Sequence, residues 1–302
     1  MRIGAIGALS AAILLSCAPA AQARPSALPG GAAPPVTARA SAGTVPSGAR
    51  DDAPAVTAPE AYLMDAASGE PLMAKRETRR VPVASLTKVM TAYVVRHRAR
   101  LDDVITITKT DVRHAAANDA TTAGLRPGER LTVRDLLYAM MLPSGADAAH
   151  ALAQRYGPGV DRFVSRMNAA AKSLGMRDSR YANADGLPSS GYSTARDQAL
   201  LARAALRDPV IAAVAKTRKR VIGKTAVHRS HTWRNTNKLL DEGALGLKTG
   251  YTHKAGYCLT FVSPLDDGRK VIGVLLGERS DVARFTTARA LLEWASGGGL
   301  PE

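Results

Sequence analysis

The order of patterns along the chain predicts an α+β fold: an antiparallel sheet built from both chain ends, with a helical subdomain inserted between them. Three observations carry this expectation: two strand-like runs near residue 60, a series of helical periodicities between residues 85 and 206, and a hairpin followed by one helix at the end. Strands gathered at the ends and helices gathered in the middle suit one sheet covered by packed helices, not an alternating βαβ chain.

Ala61–Asp65 and Pro71–Ala74 read as strands joined by the turn Ala67-Ser68-Gly69-Glu70. From Ser85, the run SLTKVMTAYVVRHR places Leu86, Val89, Met90, Tyr93 and Val94 on one helical face with no breaker. Val104 to Thr108 alternates like a strand. Thr132 to Leu142 opens on a capping-box-like Thr132-x-x-Asp135 and stops at Pro143. Helices are expected over 147–156, 160–174 and 195–206, the last preceded by Thr194 with Asp197 three residues on. Residues 217 to 235 are β-branched and basic and read as strand. Tyr257–Ser263 and Lys270–Gly277 form a hairpin around Pro-Leu-Asp-Asp-Gly, and a helix over Val282–Trp294 follows.

The termini read differently from this folded part. Residues 1–23 join Arg2 to an apolar run that ends in Ala21-Gln22-Ala23, the pattern of a secretory signal peptide. Leu14-Leu15-Ser16-Cys17 admits a second reading, a lipoprotein signal with Cys17 acylated. Residues 24–56 are rich in Pro, Ala, Gly and Ser, bury too little apolar surface to offset ordering, and are expected to be a disordered linker. One catalytic domain is expected over 57–297, with 298–302 as a tail. Cleavage after Ala23 leaves Cys258 as the sole thiol, so the fold has no internal disulfide to lean on.

The formal charge of +15 favours polyanionic partners. Export and an aromatic content of only 4% argue against nucleic acid, since few rings are present to stack on bases. Anionic wall polymers or lipid head groups are the better expectation. Of the six histidines, His228 and His231 are closest in sequence, but three residues apart on a strand they face opposite sides. No metal site and no cofactor is expected.

Ser85-Leu86-Thr87-Lys88 puts a hydroxyl and an amine on neighbouring turns of one helical face. By itself such a motif arises by chance, and a Ser cap beside a solvated Lys explains it equally well. Lys248-Thr249-Gly250 lies in a Gly-rich run before a hairpin, where Gly250 permits close backbone approach while Lys248 and Thr249 offer a cation and a hydroxyl to a carboxylate. Ser144-Gly145 follows a helix stopped by Pro143, and its Ser either caps the next helix or points into a cleft. The three motifs in this order form the S-x-x-K, central Ser, K-T-G pattern of penicillin-binding enzymes.

The stretches Ala84–Tyr93, Asp135–Gly145, Ser193–Asp197 and Gly246–Thr252 extend that match, and over nearly all of residues 57–296 the chain resembles the serine D-Ala-D-Ala carboxypeptidases, the low-molecular-mass penicillin-binding proteins. The resemblance implies the serine β-lactamase/transpeptidase fold and a monomer that removes the terminal D-Ala from peptidoglycan stem peptides and is acylated by β-lactams. It implies Ser85 as nucleophile, Lys88 as its base, Ser144 as a cleft hydroxyl relaying a proton, and Lys248 facing it. Thr249 and Gly250 line the substrate strand, the Tyr251 amide completes an oxyanion hole with that of Ser85, and Arg284 meets the substrate carboxylate. Burial and the charge of Lys248 are expected to depress the pKa of Lys88.

Two departures stand out. Ser144-Gly145-Ala146 replaces the usual Ser-Gly-Asn, and the chain stops soon after Trp294, where many relatives continue into a β domain and an amphipathic anchor. A class A-like β-lactamase and a non-catalytic penicillin-binding wall protein are the alternatives; against the first, this chain has no convincing Glu-bearing loop between Ser144 and Lys248, where Glu242 is the one glutamate.

Overall fold

A computed structural model of the chain describes residues 54–297. The expected signal peptide, Cys17, most of the linker and the tail lie outside the described residues.

β1 (Glu60–Asp65) and β2 (Pro71–Lys75) pair with β7 (Gly246–Thr252), β8 (Gly256–Pro264) and β9 (Lys270–Glu278) in one antiparallel sheet of order β2-β1-β9-β8-β7. Both chain ends meet where Tyr62 lies opposite Val274. The period-two alternation of β1 and β8 sends side chains to two cores. Tyr62, Met64, Cys258 and Val262 join the large core under the helical subdomain, whereas Leu63, Leu259 and Phe261 pack with Phe285, Ala288 and Leu291 of α8 (Asp281–Gly297).

The insertion begins with a 3-10 turn, Ala84–Leu86, that runs into α1 (Thr87–Arg96). It continues with β3 (Val104–Thr106), α2 (Lys109–Ala117), β4 (Arg130–Thr132), α3 (Val133–Met141), α4 (Ala146–Tyr156), α5 (Val160–Ser173), α6 (Ala195–Ala205) and α7 (Pro209–Ala215). α1 is buried over most of its length and forms the axis of this subdomain. The expected Thr caps are present: the Oγ1 atoms of Thr132 and Thr194 accept from the amides of Asp135 and Asp197. Each such cap is worth about 1 kcal/mol.

Three features differ from the sequence expectations. α2 is a helix in a stretch, beyond the strand expected to Thr108, for which no element was expected, and it opens on a full capping box between Thr108 and Asp111. α7 is a further helix, capped by Asp208 with Pro209 in its first turn. The 217–235 segment does not join the main sheet; its strands β5 (Lys219–Ile222) and β6 (His231–Arg234) form a separate hairpin, as β3 and β4 do. His228 lies outside β6, so strand alternation does not separate it from His231, and the two rings are 6.5 Å apart. His231 instead meets Glu129 at 3.0 Å and stacks on Trp233.

Candidate active site

The nucleophile candidate sits on a strained turn. Ala84 has φ +48°, a left-handed conformation that L-residues rarely take, and it turns the chain so that Ser85 stands at the mouth of α1. One turn on, the fully buried Lys88 directs its Nζ to Ser85 Oγ at 2.9 Å and to the main-chain oxygen of Asp185 at 3.0 Å. The solvated-lysine reading of the motif is thereby excluded.

Asp185 belongs to a loop that closes over this turn. A Cβ on Gly186, whose φ is +94°, would lie 2.1 Å from Ala84 O, so only glycine lets the loop rest against the nucleophile turn. The Asp185 carboxylate, also buried, points away from Lys88 Nζ's hydrogen bond to meet His114 Nε2 at 2.9 Å and the Leu187 amide at 3.1 Å. His114 stacks on His150 at 4.5 Å between ring centroids, and His150 Nδ1 contacts Asp111 at 2.6 Å. Sequence reasoning passed over Asp185, His114 and His150, because their partners lie 39 to 71 residues away. The capping box of α2 was the local signal for the helix that carries His114 and Asp111.

Ser144 has φ +70° and is 7% exposed, and its Oγ has no hydrogen-bond partner among the described residues. It does not cap α4; that position belongs to Gly145. A strained backbone holding a buried, unpartnered hydroxyl is the mark of a group kept for a ligand. Ala146 follows, fully buried, with its amide bonded to Thr121 O at 2.8 Å. The buried Asp147 carboxylate accepts from the amides of Ala123, Leu125 and Ala148 and pins the 121–125 loop to α4.

Opposite the turn runs β7, the open edge of the sheet. A Cβ on Gly250 would come within 3.0 Å of Val83 O and 3.2 Å of Ser85 N, so the glycine lets the strand lie directly against the nucleophile. Lys248 is buried, its Nζ bonded to Thr249 O, and Thr249 Oγ1 pairs with Thr236 Oγ1 at 2.6 Å. Arg284 Nη1 lies 3.1 Å from Gly250 O and 3.2 Å from Cys258 O. Two carbonyls that share one donor converge between their strands, so Gly250 and Cys258 form a mutually bonded pair. The next pair, Tyr251 and Tyr257, is then not mutually bonded, and the Tyr251 N–H points off the open edge of the sheet.

The structure gives Arg284 a place behind β7. Its Nη1 is committed to those two strand carbonyls and its Nη2 to Asp281, so it anchors the strand and adds positive charge beneath Lys248.

Burial pushes the Lys88 ammonium below the ordinary lysine range, while the carboxylates of Asp185 and Asp147 pull it back up. Burial together with the charges of Lys88 and Arg284 pushes Lys248 down further. Burial depresses Lys88 as expected, and the repulsion between the two ammonium groups is a property of the pair. Two buried lysines in each other's fields each make the neutral amine of the other easier to reach than in water. A neutral amine beside a serine hydroxyl can take its proton, and the amides of Ser85 and Tyr251 supply oxyanion donors, which together suit acyl transfer. No group of His, Cys, Asp and Glu side chains able to hold a metal is found among the described residues.

Residues 47–280 match the D-alanyl-D-alanine carboxypeptidase family. The chain is 36% identical over 256 residues to the D-alanyl-D-alanine carboxypeptidase of Streptomyces sp. strain K15, covering 80% of this chain and 88% of that one. It is 35% identical to the carboxypeptidase DacD of Salmonella typhimurium over 256 residues, 80% of this chain but only 63% of the longer relative. Among solved structures, the Streptomyces K15 DD-transpeptidase superposes with a TM-score of 0.77 at 36% identity, covering 82% of this chain and 99% of that one.

Proposed function

The chain belongs to the D-alanyl-D-alanine carboxypeptidase family and is a serine DD-carboxypeptidase; on that premise we propose that it trims peptidoglycan stem peptides through an acyl-enzyme on Ser85. The observation that carries this assignment is the 2.9 Å approach of the buried Lys88 amine to Ser85 Oγ. Neutral Lys88 takes the hydroxyl proton as Oγ attacks the carbonyl of the penultimate D-Ala. The oxyanion is held by the Ser85 and Tyr251 amides. The C–N bond then breaks, and the proton passes by way of Ser144 to the leaving D-Ala nitrogen. Water, deprotonated by the same lysine, releases the shortened peptide.

Lys248 and Thr249 offer an amine and a hydroxyl to the substrate carboxylate, whose negative charge favours the protonated form of Lys248, and Gly250 with Tyr251 gives the peptide an edge strand to lie along. Arg284 acts on that strand from behind.

A β-lactam is expected to acylate Ser85 and to stay there. Of the two buried carboxylates whose charges act on Lys88, Asp185 is taken by His114 and the Leu187 amide, and Asp147 by Thr122 and three backbone amides. Both are therefore withheld from activating a deacylating water, which weighs against the β-lactamase reading. The relative from strain K15 is described both as a carboxypeptidase and as a transpeptidase, so an amine competing with water for the acyl group is the second reading.

The test is the intact mass of the mature protein after benzylpenicillin, together with D-Ala release from a D-Ala-D-Ala peptide with and without an amine acceptor. A protein that forms no stable adduct and releases no D-Ala is not such an enzyme. Export is part of the same proposal: the mature N-terminus is expected at Arg24, and a diacylglyceryl Cys17 found by mass analysis would replace it with a lipoprotein.

A further inference from the structure

The side of the sheet under the helical subdomain carries a cavity of about 450 Å³ at the end away from Ser85. Its floor crosses the sheet from Leu245 at the start of β7, through Val262 on β8, to Ile272 on β9, and Leu206 closes it from the end of α6. Val262 lies opposite Gly246, four residues along β7 from Gly250. At the strand rise of about 3.3 Å per residue, the cavity is about 13 Å from the catalytic end of that strand. It shares none of the residues proposed for catalysis.

Four cationic residues line this apolar floor, and no carboxylate does. Arg203 is already engaged, donating to Ala66 O and Ala67 O at the end of β1. Arg207, Lys216 and Lys270 are exposed at the rim, and their side chains make no hydrogen bond or ion pair with any described residue. Three unpaired like charges around one opening repel each other, and a multiply charged anion seated among them relieves that repulsion. The volume falls in the range of about 300 to 1,000 Å³ typical of small-molecule sites, and an apolar floor with charge at the rim sorts a ligand by its two ends.

We propose that this cavity binds an alkyl phosphate: the chain lies on Leu206, Leu245, Val262 and Ile272, and the head group is held by Arg207, Lys216 and Lys270. The site goes beyond the acyl-transfer reading and does not depend on it.

Calorimetry of the full chain with dodecyl phosphate, kept below its micelle-forming concentration, tests this. Saturable binding in a one-to-one ratio is expected, with inorganic phosphate and dodecyl maltoside binding far more weakly. Arg207→Glu combined with Lys216→Glu should weaken the phosphate amphiphile about tenfold or more, since hydrogen bonds to charged groups are lost. Ala212→Trp, which fills the cavity from α7, should do the same without changing charge. Retained penicillin acylation in both variants shows that they are folded, and acylated protein should bind the amphiphile unchanged.

Four results overturn the proposal: no saturable binding, full affinity in either variant, equal binding of inorganic phosphate, or loss of binding on acylation. Phosphatidylglycerol vesicles form a separate arm. Vesicle binding that depends on the rim charges, with no uptake of monomeric dodecyl phosphate, would make this face a membrane contact and equally refute a cavity site.

Discussion

Lys88 donates to the main-chain oxygen of Asp185 at 3.0 Å, while the carboxylate of that same aspartate is held by His114 at 2.9 Å. The proposed general base is therefore positioned by a backbone atom, and the nearby negative charge is fixed but not hydrogen-bonded to it. That charge still acts through space, holding Lys88 up against the effect of burial.

Asp185→Asn should shift the acidic limb of the kcat/KM profile for D-Ala release to lower pH. The carboxylate raises the Lys88 pKa; without it the amine becomes neutral earlier as pH rises. A profile that stays in place would show that Lys88 is not the group whose deprotonation is observed.

His114→Ala should cost stability. It removes one of the two hydrogen bonds to a buried carboxylate, the other coming from the Leu187 amide, a loss of about 1 to 3 kcal/mol. Burial alone would raise the Asp185 pKa, but the His114 hydrogen bond and the charge of Lys88 outweigh it and the net shift is downward. A depressed carboxylate pKa contributes stability above its unfolded value, which is lost as pH falls through the folded value. Urea unfolding should therefore show the wild type losing this contribution in acid, and the difference between Asp185→Asn and wild type narrowing there. A constant difference across pH would contradict the assignment.

Ser85→Ala should abolish the covalent penicillin adduct. Lys88→Ala should lower acylation by about 10² to 10⁴, the span typical of general base catalysis. Both are read by intact mass against time, and an adduct that persists in Ser85→Ala places the nucleophile elsewhere.

Gly250→Ala tests how closely the edge strand must approach the nucleophile. Its Cβ would crowd Val83 O at 3.0 Å and Ser85 N at 3.2 Å. A shift of β7 by a few tenths of an ångström should reduce kcat/KM by about tenfold or more, since small misplacements of reacting groups are costly. The melting temperature should change little. Undiminished activity would mean that the Ser85–β7 separation is not catalytically critical.

Ala146→Asn restores the amide usual at this position in the family that the chain resembles. If the amide reaches the substrate or a lysine, D-Ala release should rise by about one to two decades, corresponding to hydrogen bonds worth roughly 1 to 3 kcal/mol. Ala146 is fully buried, so the larger side chain also tests the room beside Ser144. A fall in both activity and melting temperature would show that the site has closed around the methyl group.

What the sequence determined by itself is what local spacing determines. Ser85 and Lys88 are three residues apart on a helix, so their approach follows from the helical repeat once the helix is recognised. The Thr132/Asp135 and Thr194/Asp197 caps and the β8–β9 hairpin were legible for the same reason, while the sheet built from both ends followed from the order of the elements. α2 was equally legible in Thr108 and Asp111 but was passed over in favour of the strand before it, and the 217–235 strands formed no part of the main sheet because β-propensity does not name a partner.

Tertiary structure alone decided everything that depends on groups distant in the chain meeting in a dry interior. His114 and Asp185 are 71 residues apart, and no periodicity relates them. Arg284 became an anchor behind β7 because α8 packs on the far face of the sheet and delivers its guanidinium to Gly250 O and Cys258 O. The electrostatics of the two lysines belong here too. A motif names which residues carry charge, but the protonation of Lys88 is governed by burial and by Asp185 and Asp147, and only the folded chain sets those distances.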